Sequence, residues 1–155
     1  HPNEINNYED FIEGVIYPDS VTDKSLTHYG LTSSQVNLKR FFEDKDINTD
    51  FNKGYCIHLI TDYLFYNKFL TVFSSNYIYN DYDILNKELE SKFEVKIPQK
   101  VEDKVFYTEG ETRILNLKDT IKFIEETSSN NINDIKKAVF SGDKDWLEIR
   151  PLKRI

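Results

Sequence analysis

Apolar residues recur at helical spacing through most of the chain, and this pattern predicts a mainly α fold. The strongest pattern runs from Asp50 to Phe69 and is apolar on nearly every face, which is typical of a buried central helix. Weaker patterns predict further helices before and after it. These cover residues 7–13, 32–45, 80–93, 117–126 and 131–140.

Two stretches depart from the helical pattern. Residues 14–31 predict a break followed by a loop, because Pro18 disfavours a helix at the residue before it. The β-branched and aromatic residues near 93–107 suggest a small β hairpin. No linker, internal repeat or low-complexity tract divides the sequence, so we expect one helical bundle domain over 1–155.

Composition narrows the class of protein. The 155 residues carry a formal net charge of −7, and we expect no nucleic-acid partner because phosphate binding needs a clustered positive surface. No apolar run has the length of a transmembrane span, and a single Cys excludes an internal disulfide. With no leader sequence, these features favour a cytoplasmic protein. The chain opens at His1-Pro2 without Met, and we expect that an N-terminal segment is missing.

The candidate chemistry centres on His58 and Asp62, which stand one turn apart on the predicted central helix. This spacing places both side chains on one face, among apolar residues. One interpretation is a His–Asp pair that satisfies its own hydrogen bonds in the core. The other is a zinc site, for which Asp19 and His28 would supply the two further donors of a tetrahedral set.

Three short motifs resemble those of a known family. In chain order they are Gly14-x-x-x-Pro18-Asp19, Thr27-His28-Tyr29 and Gly54-Tyr55-x-x-His58-x-x-x-Asp62. Their order and approximate spacing resemble the zinc-dependent phospholipase C superfamily and its small bacterial relatives. The resemblance extends over residues 14–62, about a third of the chain.

The resemblance implies an all-helical bundle and one zinc ion held by Asp19, His28, His58 and Asp62. It also implies that the Asp19 carboxylate acts as a general base and that Asp62 can bridge to a second metal. The secreted phospholipases hold further zinc ions through additional histidines, whereas this sequence has no His after His58. A second zinc site is therefore absent or rebuilt from carboxylates. For the remaining site, which uses an early His, only His1 could match here, and we favour a missing upstream helix that carries that His.

We therefore expect a metal-dependent hydrolase that acts on a small-molecule phosphoester. Two alternatives stay open. In one, the protein is a degenerate relative whose metal or His–Asp pair is structural and which serves as a binding module. In the other, it is a metal-free helical protein with a buried His58–Asp62 pair. Nucleophilic catalysis by Cys56 is disfavoured because no evident base would activate the thiol. Tyr29 and Tyr55 could support the site, although core packing is the simpler interpretation.

Overall fold

The computed structural model describes residues 4–155 and confirms a mainly α protein. Its α-helices are α1 (Tyr8–Ile16), α2 (Ser25–His28), α3 (Leu38–Asp44), α4 (Asp50–Leu64), α5 (Ile78–Phe93), α6 (Leu117–Ser128) and α7 (Ile132–Phe140). Short 3₁₀ segments cover Tyr17–Asp19, Ser33–Gln35, Gln99–Lys104 and Lys144–Trp146, and a π-helical turn, Phe65–Phe69, extends α4. Among these residues, no helix combines the length and the apolar character needed to cross a bilayer.

The predicted β hairpin near 93–107 is wrong. Residues 93–107 contain no strand in the described chain; α5 runs to Phe93, and a 3₁₀ segment follows at Gln99–Lys104. The stretch that follows is held by α5 rather than by a second strand: the Asn86 side chain donates to the Phe106 carbonyl. The small sheet instead pairs β1 (Val72–Phe73) with β2 (Lys153–Arg154) in parallel.

The chain divides into two compact units. The first comprises His1–Leu70 and Thr127–Pro151, and the second comprises Thr71–Glu126 and Leu152–Ile155. The single domain over 1–155 stays a prediction, because one domain can also contain more than one compact unit.

The core of the first unit confirms the buried central helix. Helix α4 contributes Tyr55, Leu59 and Ile60, each at most 2% exposed, and it packs with residues of α3 and α7. Burial of one large apolar side chain contributes about 1.5–3 kcal/mol, so burial of this cluster stabilises the unit. The side chain of Thr49 caps the helix by accepting from the Asn52 backbone N–H.

The second unit is organised around a buried carboxylate. Asp81 of α5 is fully buried and accepts the backbone N–H groups of Arg113, Ile114 and Leu115 at 2.7–2.9 Å. A buried charge is tolerated only with such partners. Asp81 therefore fixes the chain segment that leads into α6.

Candidate metal centre

The Asp19 side chain is presented by a tight turn at the end of α1. Tyr17–Asp19 form a 3₁₀ turn that contains Pro18, whose fixed φ suits the start of a helix. The Lys24 ammonium donates to the backbone carbonyls of Asp19 and Val21 and lies 3.4 Å from Asp19 Oδ1. These contacts hold the turn and the Asp19 carboxylate in place.

His28 ends the short helix α2. The next residue, Tyr29, has φ 60° in the left-handed region, which terminates the helix directly after His28. Left-handed backbone is unfavourable for a residue with a side chain, so surrounding contacts must hold it. Tyr29 packs on Phe41 and donates through its hydroxyl to Asp44 at 2.5 Å, which supplies such contacts.

Two glycines set the orientation of His58. A Cβ on Gly14 would lie 1.9 Å from the carbonyl oxygen of Phe51, and one on Gly54 would lie 2.0 Å from that of Phe11. Helices α1 and α4 can approach this closely only where both positions lack a side chain. The approach brings the Val15 carbonyl within 2.8 Å of His58 Nδ1, which therefore donates its proton to it.

The four predicted side chains converge. Oδ2 of Asp62 lies 3.0 Å from His28 Nε2 and 3.2 Å from His58 Nε2. Oδ1 of Asp19 lies 3.7 and 3.6 Å from the same two nitrogens. Two imidazole nitrogens and two carboxylates thus face one small region. Asp19 and His28 come from the 3₁₀ turn and from α2, whereas His58 and Asp62 both come from α4.

The site is closed on one side and open on the other. His28 is fully buried and the His58 side chain is 13% exposed, whereas the Asp62 and Asp19 side chains are 21% and 59% exposed. Solvent therefore reaches the cluster from the Asp19 side. A small solute would approach by the same side.

The electrostatics of the cluster reflect its opposite charges. Burial lowers the pKa of His58, but contact with the Asp19 and Asp62 carboxylates raises it more, to about 10. Partial burial raises the pKa of Asp19, but contact with His58 and the charges of His58, Lys24 and His28 lower it to about 2. In the metal-free protein, a proton on His58 therefore compensates the carboxylates.

The donor set fits a divalent metal. His58 Nε2 is buried and has no hydrogen-bond partner in the described chain, despite the nearby carboxylate oxygens. Ligand atoms of Asp19, His28 and His58 all lie within 4.8 Å of one another, and Asp62 contacts both imidazoles. Imidazole nitrogen and carboxylate oxygen are the donors that zinc accepts in catalytic sites. Whether these residues bind a metal stays a prediction.

Other candidate residues have different surroundings. Burial raises the pKa of the fully buried Cys56 thiol, so it is not an activated nucleophile. The Tyr55 hydroxyl donates to the Thr27 carbonyl at 2.6 Å, so Tyr55 supports the segment that carries His28. The interpretation of His1 as a ligand lies outside the described residues.

Sequence reasoning assigned no role to the residues that orient the histidines, although Thr27 lies in one of the three motifs. Thr27 and the Val15 carbonyl contact the Nδ1 atoms of His28 and His58. Gly14 and Gly54 were visible as motif positions, but the contact between their two helices was not. The signal for it in the sequence is that a glycine stands four or five residues before a predicted ligand in two of the motifs.

Comparisons with known proteins add no relative. No family model matches the chain, and neither a curated protein nor a solved structure matches it significantly.

Proposed function

We propose that this protein binds one zinc ion through Asp19, His28, His58 and Asp62 and hydrolyses a phosphoester. The observation that carries the proposal is the convergence of two imidazole Nε2 atoms on two carboxylates, 3.0–3.7 Å apart, at a site open to solvent. The motifs that resemble the zinc-dependent phospholipase C superfamily contain these same four residues.

The residues of the proposed site have separate roles. Zinc supplies Lewis-acid chemistry, which lowers the pKa of water from about 15.7 to about 7 and polarises a phosphoryl oxygen. His28 and His58 present Nε2, because Nδ1 of each is occupied by Thr27 or Val15. Asp62 contacts both imidazoles from the neighbouring turn of α4.

Asp19 is the group at the open side of the cluster. Its pKa of about 2 in the metal-free protein keeps it ionised at neutral pH, as a ligand must be. A general base works best with a pKa near the operating pH, so the ligand role fits Asp19 better than the base role.

A structural metal is the second candidate function. It is favoured by the number of protein donors, because four such ligands close a tetrahedral zinc site and structural sites are normally closed. In this case zinc would connect α4 to the Asp19 turn and to α2 without turnover. Zinc content without activity, and a large loss of thermal stability on chelation, would identify it.

The first experiment measures zinc content by elemental analysis, on protein purified without added zinc. We expect about one equivalent in the wild type, none in His58→Ala and a reduced amount in Asp19→Asn. Asp145→Asn is the matched control, because its carboxylate is also exposed, at 83%, but it contacts Lys68 rather than the two imidazoles.

The second experiment measures hydrolysis of bis(p-nitrophenyl) phosphate by the zinc-loaded protein. Turnover that disappears in Asp19→Asn and persists in Asp145→Asn supports the hydrolase. Zinc without turnover of phosphodiesters or phosphomonoesters selects the structural role. A wild type that takes up no zinc after soaking overturns the ligand assignment and leaves His58 and Asp62 as a core pair.

A further inference from the structure

Thr27 occupies a junction between the elements that carry the candidate ligands. It is 1% exposed, and its side-chain oxygen lies 2.9 Å from the Pro18 carbonyl oxygen and 3.0 Å from His28 Nδ1. The Pro18 carbonyl belongs to the turn that presents Asp19. One hydroxyl therefore contacts both the Asp19 turn and the His28 ring.

The direction of these hydrogen bonds follows from counting protons. A threonine hydroxyl has one proton, and a carbonyl oxygen can only accept. Thr27 must therefore donate to Pro18, and the other carbonyl near its hydroxyl, that of Lys24 at 3.5 Å, is also an acceptor. No proton is left for His28, so His28 Nδ1 is the donor and Thr27 the acceptor.

We propose that Thr27 is the positioning residue of His28: its hydroxyl holds the Nδ1 proton and so turns Nε2 toward Asp19 and Asp62. This inference rests on the proposed function for its consequence, which is metal affinity. Partners that accept from the second nitrogen of a ligating His fix its tautomer and ring orientation, and their loss typically reduces metal affinity about 10–100-fold.

The backbone of Thr27 is itself held by α4. The Tyr55 hydroxyl donates to the Thr27 carbonyl, and the Tyr55 side chain is buried between α4 and its neighbours. Thr27 is thereby placed by the same helix that carries His58 and Asp62. The arrangement couples three separate chain segments through one residue.

The test follows ring N–H protons by NMR on protein labelled with ¹⁵N-histidine. In the metal-free wild type we expect two protected Nδ1 protons, from His28 and from His58, whose acceptor is the Val15 carbonyl. Thr27→Val keeps the shape but lacks the acceptor, so it should lose the His28 signal and keep that of His58. Thr27→Ser keeps the hydroxyl and should retain both signals.

Zinc affinity is measured on the same proteins by competition with a chromophoric chelator. We expect a loss of about 10–100-fold in Thr27→Val and a change of less than about threefold in Thr27→Ser. Thr61→Val is the matched control, because it removes a hydroxyl that donates to the Ile57 carbonyl within α4. It should bind zinc like the wild type.

The outcomes separate this inference from the proposed function. A wild type that binds no zinc overturns the proposed function, while the NMR comparison still decides whether Thr27 fixes the His28 ring. Retention of the His28 Nδ1 proton and of zinc affinity in Thr27→Val overturns the inference. If Thr27→Val does not fold, Thr27→Ala removes the same hydroxyl with less bulk, and the same two readouts apply.

Discussion

At the scale of single residues, His58 is the group that most constrains the site. Its Nδ1 proton is donated to the Val15 carbonyl. Its buried Nε2 lies beside two carboxylates but has no hydrogen bond among residues 4–155. A buried polar atom without a partner is unfavourable, by about 1–3 kcal/mol. Either a proton or a metal ion at Nε2 would offset the negative charge of the two carboxylates. The proton and the metal ion therefore compete for the same nitrogen atom.

This competition makes the stability of the metal-free protein depend on pH. The folded state holds the pKa of His58 at about 10, above the unfolded value of about 6.5. The resulting stabilisation is complete below about pH 6.5 and is lost as the pH rises through about 10. We expect the chelator-treated protein to lose at least about 1 kcal/mol in free energy of unfolding between about pH 6.5 and 9.5, since one pKa unit corresponds to about 1.4 kcal/mol.

Urea unfolding at each pH measures this effect, and His58→Gln provides the control. The glutamine variant lacks the titrating ring but shares the other ionisable groups, so the difference between the two profiles isolates His58. Parallel profiles for the two proteins would contradict the prediction.

The sequence could predict part of this site because part of it is local. His58 and Asp62 lie one turn apart in any helix, so a helical pattern is enough to place them together. Asp19 and His28 come from turns whose direction depends on hydrogen bonds to Thr27, Lys24 and Tyr55. Their convergence was therefore suggested by motif resemblance and not by spacing.

At the scale of elements, the contact between α1 and α4 is the feature that sets the geometry of the site. Asn7 at the start of α1 donates its backbone N–H to Asp50 at the start of α4, and Val15 near the end of α1 accepts from His58 further along α4, so the two helices run in the same direction. Residue spacing in one helix cannot predict this, because it depends on a second helix. The hairpin prediction failed for a related reason: strand-like residues were held by α5, a partner that composition does not show.

The close approach predicts the effect of Gly54→Ala. The added Cβ would meet the Phe11 carbonyl at 2.0 Å, and backbone cannot move aside as a flexible side chain does. We expect a destabilisation of about 1–3 kcal/mol from overpacking and a weaker affinity for zinc, because the Val15 carbonyl must shift away from His58. Urea unfolding and the chelator competition measure the two effects.

Gly142→Ala is the control for this variant. Gly142 has φ +84°, so alanine is strained there, but nothing lies within 4 Å of the added Cβ. It should lose about 1–2 kcal/mol of stability and keep its zinc affinity. Wild-type stability and affinity in Gly54→Ala would show that α1 and α4 do not need this close approach.

At the scale of the whole molecule, the candidate centre belongs to the first compact unit alone. Asp19, His28, His58 and Asp62 all lie within His1–Leu70, as do Val15 and Thr27. The second unit has a separate polar anchor in Asp81, which binds three backbone N–H groups of its own unit.

This separation predicts which residues become less protected from hydrogen exchange when zinc is removed. A ligand present at about 1,000 times its dissociation constant stabilises the state that binds it by about 4 kcal/mol, and local opening in the binding unit is suppressed by the same linkage. Hydrogen exchange should therefore quicken on chelation in residues 15–28 and 54–62. The amides of Arg113, Ile114 and Leu115, which donate hydrogen bonds to Asp81, should exchange at unchanged rates.

Mass spectrometry of peptides from both units measures these exchange rates. His58→Ala is the control, and its exchange rates should not respond to the chelator. An equal rise in both units would mean that they open together, and zinc would then stabilise the whole chain rather than the unit that holds its ligands.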